Sequence, residues 1–114
     1  MPIIHIHHRY AEGNVASLLQ KICEEVSSAA SIPPDKVWAL WHPVDPSLAW
    51  RPDWIGDQKG GPIVRIFCRR SHSLERVKSI VAAVRSILAA GLGCEVSTVF
   101  VQVIRVDDEE VFSA

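Results

Sequence analysis

Chemistry in this chain begins at its second residue. Met1 is followed by Pro2 and then at once by the apolar pair Ile3-Ile4, and an initiator methionine is normally trimmed when so small a residue follows it. Trimming leaves Pro2 with a secondary amine in place of an amide nitrogen. A free α-amino group titrates near ~8, and apolar walls with cationic neighbours disfavour its charged form and lower that value. The neutral amine is then a base that can lift a proton from carbon and return it elsewhere. Should Met1 stay in place, the nitrogen is an amide and this chemistry is closed. The plain reading of a second-position proline is that it starts an edge strand.

Other reactive side chains are weaker signals. His5, His7 and His8 form a His-x-His row with one extra histidine, and such a row can offer two metal ligands from one strand face. No third ligand stands at a suitable spacing, so neither a metal nor any other cofactor is expected. Cys23, Cys68 and Cys94 are odd in number and lack a Cys-x-x-Cys pair, which fits neither a disulfide framework nor a thiolate site. Reduced cysteines and the absence of a secretory pattern in the first fifteen residues point to a cytoplasmic protein. The run Asp107-Asp108-Glu109-Glu110 reads as a solvated end.

What holds Pro2 is a repeated pattern. Pro2-Ile3-Ile4 is echoed sixty positions later by Pro62-Ile63-Val64, and at the same offset Arg9 is echoed by Arg69. The first strand signal, 2–8, alternates Ile4 and Ile6 against Ile3, His5 and His7. Asn14 then caps a helix with the apolar stripe Val15, Leu18, Leu19, Ile22 and Val26, which Pro33-Pro34 ends. A second strand is expected over 37–41, parallel to the first through the helical crossover. The second copy has a strand at 62–68, a helix capped by Ser73 with Leu74, Val77, Val81, Val84 and Leu88 inward and stopped at Gly91 and Gly93, and a strand over 96–106. The chain therefore reads as one α+β domain, 1–114, made of tandem β-α-β units forming a four-stranded sheet with two helices on one face. Unit one covers about 2–44 and unit two about 62–106. The connection, about 45–61, is rich in proline and glycine, and connections this long are often functional. The open face of the sheet, with Trp38, Trp41 and Phe100, is apolar enough to need a partner.

Composition excludes several classes. A 114-residue chain with 48% hydrophobic and 22% charged residues and a formal net charge of -1 has no basic stripe for nucleic acid. Its most apolar segment, 79–93, is short and carries Arg85, so no membrane span is expected.

Met1-Pro2 before a strand, Arg9 just after it, the tandem units and the segment Cys68-Arg69-Arg70-Ser71-His72-Ser73-Leu74-Glu75-Arg76 together resemble the tautomerase superfamily. The likeness is to two-unit members such as 5-carboxymethyl-2-hydroxymuconate isomerase and cis-3-chloroacrylic acid dehalogenase. The resemblance implies a homotrimer with Pro2 as catalytic base and acid at the floor of a pocket near a subunit boundary. It implies a tautomerase acting on a small carboxylate-bearing keto or enol acid. By position Arg69 is the best match to the arginines that bind substrate carboxylate, with Arg9 and Arg70 next; a guanidinium fork suits a carboxylate and a developing enolate. His72 stands where dehalogenase-like members carry a further arginine, a departure that counts against dehalogenation. Trp50 and Trp54 are possible pocket walls, or pins for the long connection. Alternatives on the same scaffold are a dehalogenase, a decarboxylase, or a non-catalytic interaction protein if Met1 is retained.

Overall fold

The computed structural model describes residues 2–9 and 13–111. Strand β1 (Ile3–His8) passes through helix α1 (Val15–Ala30) to β2 (Trp38–Pro43), and β3 (Ile63–Arg69) passes through α2 (Leu74–Leu92) to β4 (Phe100–Val106). The sheet order is β2-β1-β3-β4. Each helix joins two parallel strands, and the two units meet through the antiparallel pair β1 and β3. Parallel neighbours need such a crossover, and the helices it supplies cover one face of the sheet.

The repeat is visible bond by bond. The Trp38 amide donates to the Pro2 carbonyl at 3.2 Å, and the Phe100 amide donates to the Pro62 carbonyl at 3.1 Å. Asn14 and Ser73 each accept from the backbone N–H three residues on, closing the first turn of α1 and of α2. Ser31 and Gly93 end these helices in the left-handed region, with φ of 53° and 67°. Short 3-10 turns, Pro34–Lys36 and Val96–Thr98, then lead into β2 and β4.

The core lies between the sheet and the helices. Ile4 and Ile6 of β1, Val64 and Ile66 of β3, Ile22 and Val26 of α1, and Ile80, Val84 and Leu88 of α2 are all buried there. Burying each such side chain contributes roughly 1.5–3 kcal/mol, and this is the main force fixing which sheet face is covered.

Several expectations shift. The inward row of α2 is Val77, Ile80, Val84 and Leu88, whereas Leu74, its first residue, is 59% exposed and clear of the core. Gly91 does not stop the helix; it lies within it, where an added Cβ would come 2.7 Å from Leu18 Cδ1 of α1. Helix packing, not termination, accounts for that glycine. The fourth strand starts at Phe100, because Val96–Thr98 is wound into the 3-10 turn. Trp41 faces the helices, since it pairs in register with Ile6 and packs on the core. Trp38 and Phe100 are on the other face and stay 48% and 57% exposed.

Candidate active site

The antiparallel register sets two unlike neighbourhoods at the two ends of the central strand pair. Ile3 stands opposite Phe67, so one further step places Pro2 beside Cys68, and Cys68 in turn stands opposite Arg105 of β4. Strand alternation puts Pro2, Cys68 and Arg105 on the helix-facing side. Adjacent strands lie about 4.8 Å apart, so the Arg105 backbone is roughly 10 Å from that of Pro2, within reach of an arginine side chain. The Pro2 ring is fully buried.

Around this end the charges converge. Arg69 ends β3 and pairs weakly with Asp108, 3.7 Å away. Arg70 follows it and bonds Asp107 through Nε at 2.7 Å. Arg105 donates through Nη2 to the Arg70 carbonyl at 2.7 Å and to the His72 carbonyl, tying down the turn that leads into α2. Among the described residues the buried Nε groups of Arg69 and of Arg105 have no hydrogen-bond partner. A buried donor without a partner is costly, and that of Arg105 lies on the Pro2 side of the sheet.

Electrostatics at this end agree with the geometry. His72 is held below its ordinary pKa, first by burial and then by the positive charges of the amino terminus, Arg76, Arg105 and Arg69. It is a neutral imidazole at pH 7. Burial raises the Cys68 thiol, and the charges of Arg105 and the amino terminus oppose that rise. The thiol is therefore not a thiolate nucleophile.

The opposite end of β1 holds the other candidates. Arg9 follows the six-residue strand, which at ~3.3 Å per residue places it roughly 20 Å from Pro2. Within one chain, then, Arg9 does not join Pro2, Arg69 and Arg70. It donates to the carbonyls of Trp54, Gly56 and Gln58 in the connection between the units. Trp54 is buried, donates its indole N–H to the Gly61 carbonyl at 2.9 Å, and walls a cavity of about 270 Å³ beside Arg9. Trp50 is 81% exposed.

Arg105 is the residue that reading by motif overlooked. Its signal was present: in Phe-Val-Gln-Val-Ile-Arg-Val the alternation places Arg105 in phase with Val101 and Val103, on the side that must meet the core. A charged residue in that phase needs a partner or a task. The histidine row also resolves. His5, His7 and His42 stack on the open sheet face, with His5 Nδ1 and His42 Nε2 2.8 Å apart. Among the described residues no group of three or more His, Cys, Asp or Glu is arranged to hold a metal ion. No described helix is long and apolar enough to cross a membrane.

This architecture is the two-unit β-α-β fold of tautomerase-superfamily structures. Native fused 4-OT superposes with a TM-score of 0.86 at 12% identity, covering 97% of this chain and 91% of that one. A member of the cis-3-chloroacrylic acid dehalogenase family gives 0.76 at 14%, covering 97% and 79%. Malonate semialdehyde decarboxylase gives 0.72 at 16%, covering 98% and 90%. No protein-family model matches the chain, and no curated protein sequence does. At such identities the likeness is one of fold.

Proposed function

We propose that this protein is a cytosolic homotrimeric tautomerase that moves a proton on a small carboxylate-bearing keto or enol acid. Pro2, freed of Met1, is its general base and acid. What supports this reading is the burial of Pro2, with Cys68 and then Arg105 beside it in the strand register, at the end of the sheet where Arg69 closes β3. The fold's likeness to fused 4-OT, and to Pt0534 in its form inactivated by 2-oxo-3-pentynoate (TM-score 0.81, 14% identity, 99% and 91% covered), supports the same class of reaction.

In this scheme Arg69 receives the substrate carboxylate, which displaces the loosely held Asp108. Pro2 removes a proton from the carbon beside the carbonyl, or from the enol oxygen in the reverse sense. Negative charge develops on the enolate oxygen, and a guanidinium N–H in a dry pocket stabilises it. The protonated Pro2 then delivers its proton to the other end of the conjugated system. Arg105 holds the turn and keeps the neighbourhood positive, which favours the neutral amine, while Arg70 is paired with Asp107. His72, neutral at pH 7, lines the same end without adding charge.

The test compares ketonisation of phenylenolpyruvate by the wild type and by Pro2→Ala, after intact-mass measurement of the amino terminus. Loss of one methionine mass and a drop of about 10²–10⁴-fold in kcat/KM for the variant are expected. Equal rates would falsify the proposal. Dehalogenation or decarboxylation by the same fold needs a protonated Pro2, so those rates fall as pH rises while the tautomerase rate climbs.

A further inference from the structure

The internal repeat makes the Pro62 end of the sheet the counterpart of the Pro2 end, and the connection between the units lies over it just as Asp107 and Asp108 lie over the other. Pro62 is chain-interior, so its nitrogen is an amide and no base exists there. The surrounding residues nonetheless form a site. A cavity of about 270 Å³ is walled by Val44, Pro46, Ala49, Trp54 and Ile55, with Arg9 and Arg51 as its charges.

The two arginines are not equivalent. Arg51 is neutralised by Asp53, which stands 2.6 Å from its Nε and accepts from its Nη2 at 3.1 Å, and two further donors go to the carbonyls of Gly61 and Thr98 at 2.8 and 2.9 Å. Its guanidinium also lies over the Trp54 ring, 5.0 Å from the centroid. Arg9 has no carboxylate partner among the described residues. Its Nη1 serves the Trp54 and Gly56 carbonyls and its Nη2 the Gln58 carbonyl. A guanidinium carries five N–H donors, so against the described residues Nε–H and one Nη2–H remain. Nε and Nη2 share the side edge of the guanidinium, the edge that can grip a carboxylate with paired bonds. A guanidinium with no carboxylate partner among the described residues, lining an apolar, tryptophan-walled hollow, favours an anion with one charge and an apolar body.

We infer that the Arg9 cavity is a second, non-catalytic binding site for a small aromatic monocarboxylate, separated from Pro2 by the length of β1. Binding there stands on this geometry alone and is independent of whether Pro2 catalyses anything.

The probe is benzoate, followed by NMR through the Trp54 indole N–H, which Trp54→Phe assigns. The expected result is a saturable shift of that signal with benzoate and a shift at least tenfold weaker in affinity with neutral benzyl alcohol. Arg9→Gln should weaken benzoate at least tenfold. Because Arg9 also braces the connection, Ala49→Phe provides a second variant, filling the hollow while leaving Arg9 in place; it too should abolish the shift. Arg69→Gln, at the other end, should leave the titration unchanged. The inference is overturned if no saturable shift occurs, if benzyl alcohol binds as well as benzoate, if Ala49→Phe still titrates, or if Arg69→Gln and not Arg9→Gln removes the response. None of these outcomes touches the Pro2→Ala assay.

Discussion

Two side chains show how position in the sheet decides what a residue can do. Arg69 has a buried Nε without a partner among the described residues and only a weak tail contact, which suits the carboxylate-binding role proposed for it above. A charge-assisted pair of this kind contributes roughly 1.5–3 kcal/mol. Arg69→Ala should therefore lower kcat/KM by about ten- to a hundredfold, and Arg69→Lys should recover only part of it because the fork is lost; steady-state kinetics reads both. His8, on the core side between Trp41 and Trp54, is pushed down to about 4, chiefly by burial and then by Arg9 and Arg51. The unfolded chain takes up that proton near pH 6.5 and the folded chain does not. Stability from His8 is thus whole above 6.5 and is lost as pH falls from 6.5 towards 4. Urea midpoints should decline over that window, and His8→Phe should flatten the decline.

At the scale of elements, the two units are the same design with different finishing residues. Helix α1 ends on Ser31 in the left-handed region, where α2 has Gly93. A residue with a Cβ is strained there and glycine is not. Ser31→Gly should stabilise the protein by about 0.5–1 kcal/mol and Gly93→Ala should destabilise it by a similar amount, both measurable by urea unfolding. The connection is braced differently, by close backbone approach. A Cβ on Gly60 would fall 2.3 Å from the Asp53 side chain and 2.7 Å from its carbonyl oxygen. Gly60→Ala should shift that segment and cost about 1–3 kcal/mol. Helices, caps and the parallel pairing were legible because each rests on local periodicity and short-range bonding. The start of β4 was not, since Val96 and Thr98 are β-branched and read as strand, whereas Val96–Thr98 is wound into a 3-10 turn.

For the molecule as a whole, the uncovered sheet face is the outstanding physical fact. Trp38, Leu40 and Phe100 are exposed on it, beside the stacked His5, His7 and His42 and the Arg65 that stands opposite His5. Fused 4-OT has been solved as both symmetric and asymmetric trimers, and the homotrimer proposed above would need an apolar face such as this one to pack on. Sedimentation should report three chain masses for the wild type and one for Phe100→Asp. Burial and then His42 hold His5 below its ordinary pKa; His7 is lowered by burial first, then by His42 and Arg65. Protonating either adds charge to an apolar face, so assembly should be complete above pH 6.5 and weaken as pH falls below it, as the same sedimentation run at pH 5 would show.

Local order along the chain was enough to announce the strands, the helices, the repeat and the singular chemistry of Pro2, because turn residues, caps and periodicities act over a few positions. It could not say which arginine stands beside that proline. Arg9 and Arg69 occupy equal places in the repeat, and the antiparallel joining of β1 to β3 sends them to opposite ends of the sheet. The parallel pairing of β3 with β4 brings Arg105 up beside Cys68 from a strand that no short motif marks. Proximity between distant segments is a property of strand pairing and core packing, and those are settled only when the whole apolar face closes at once.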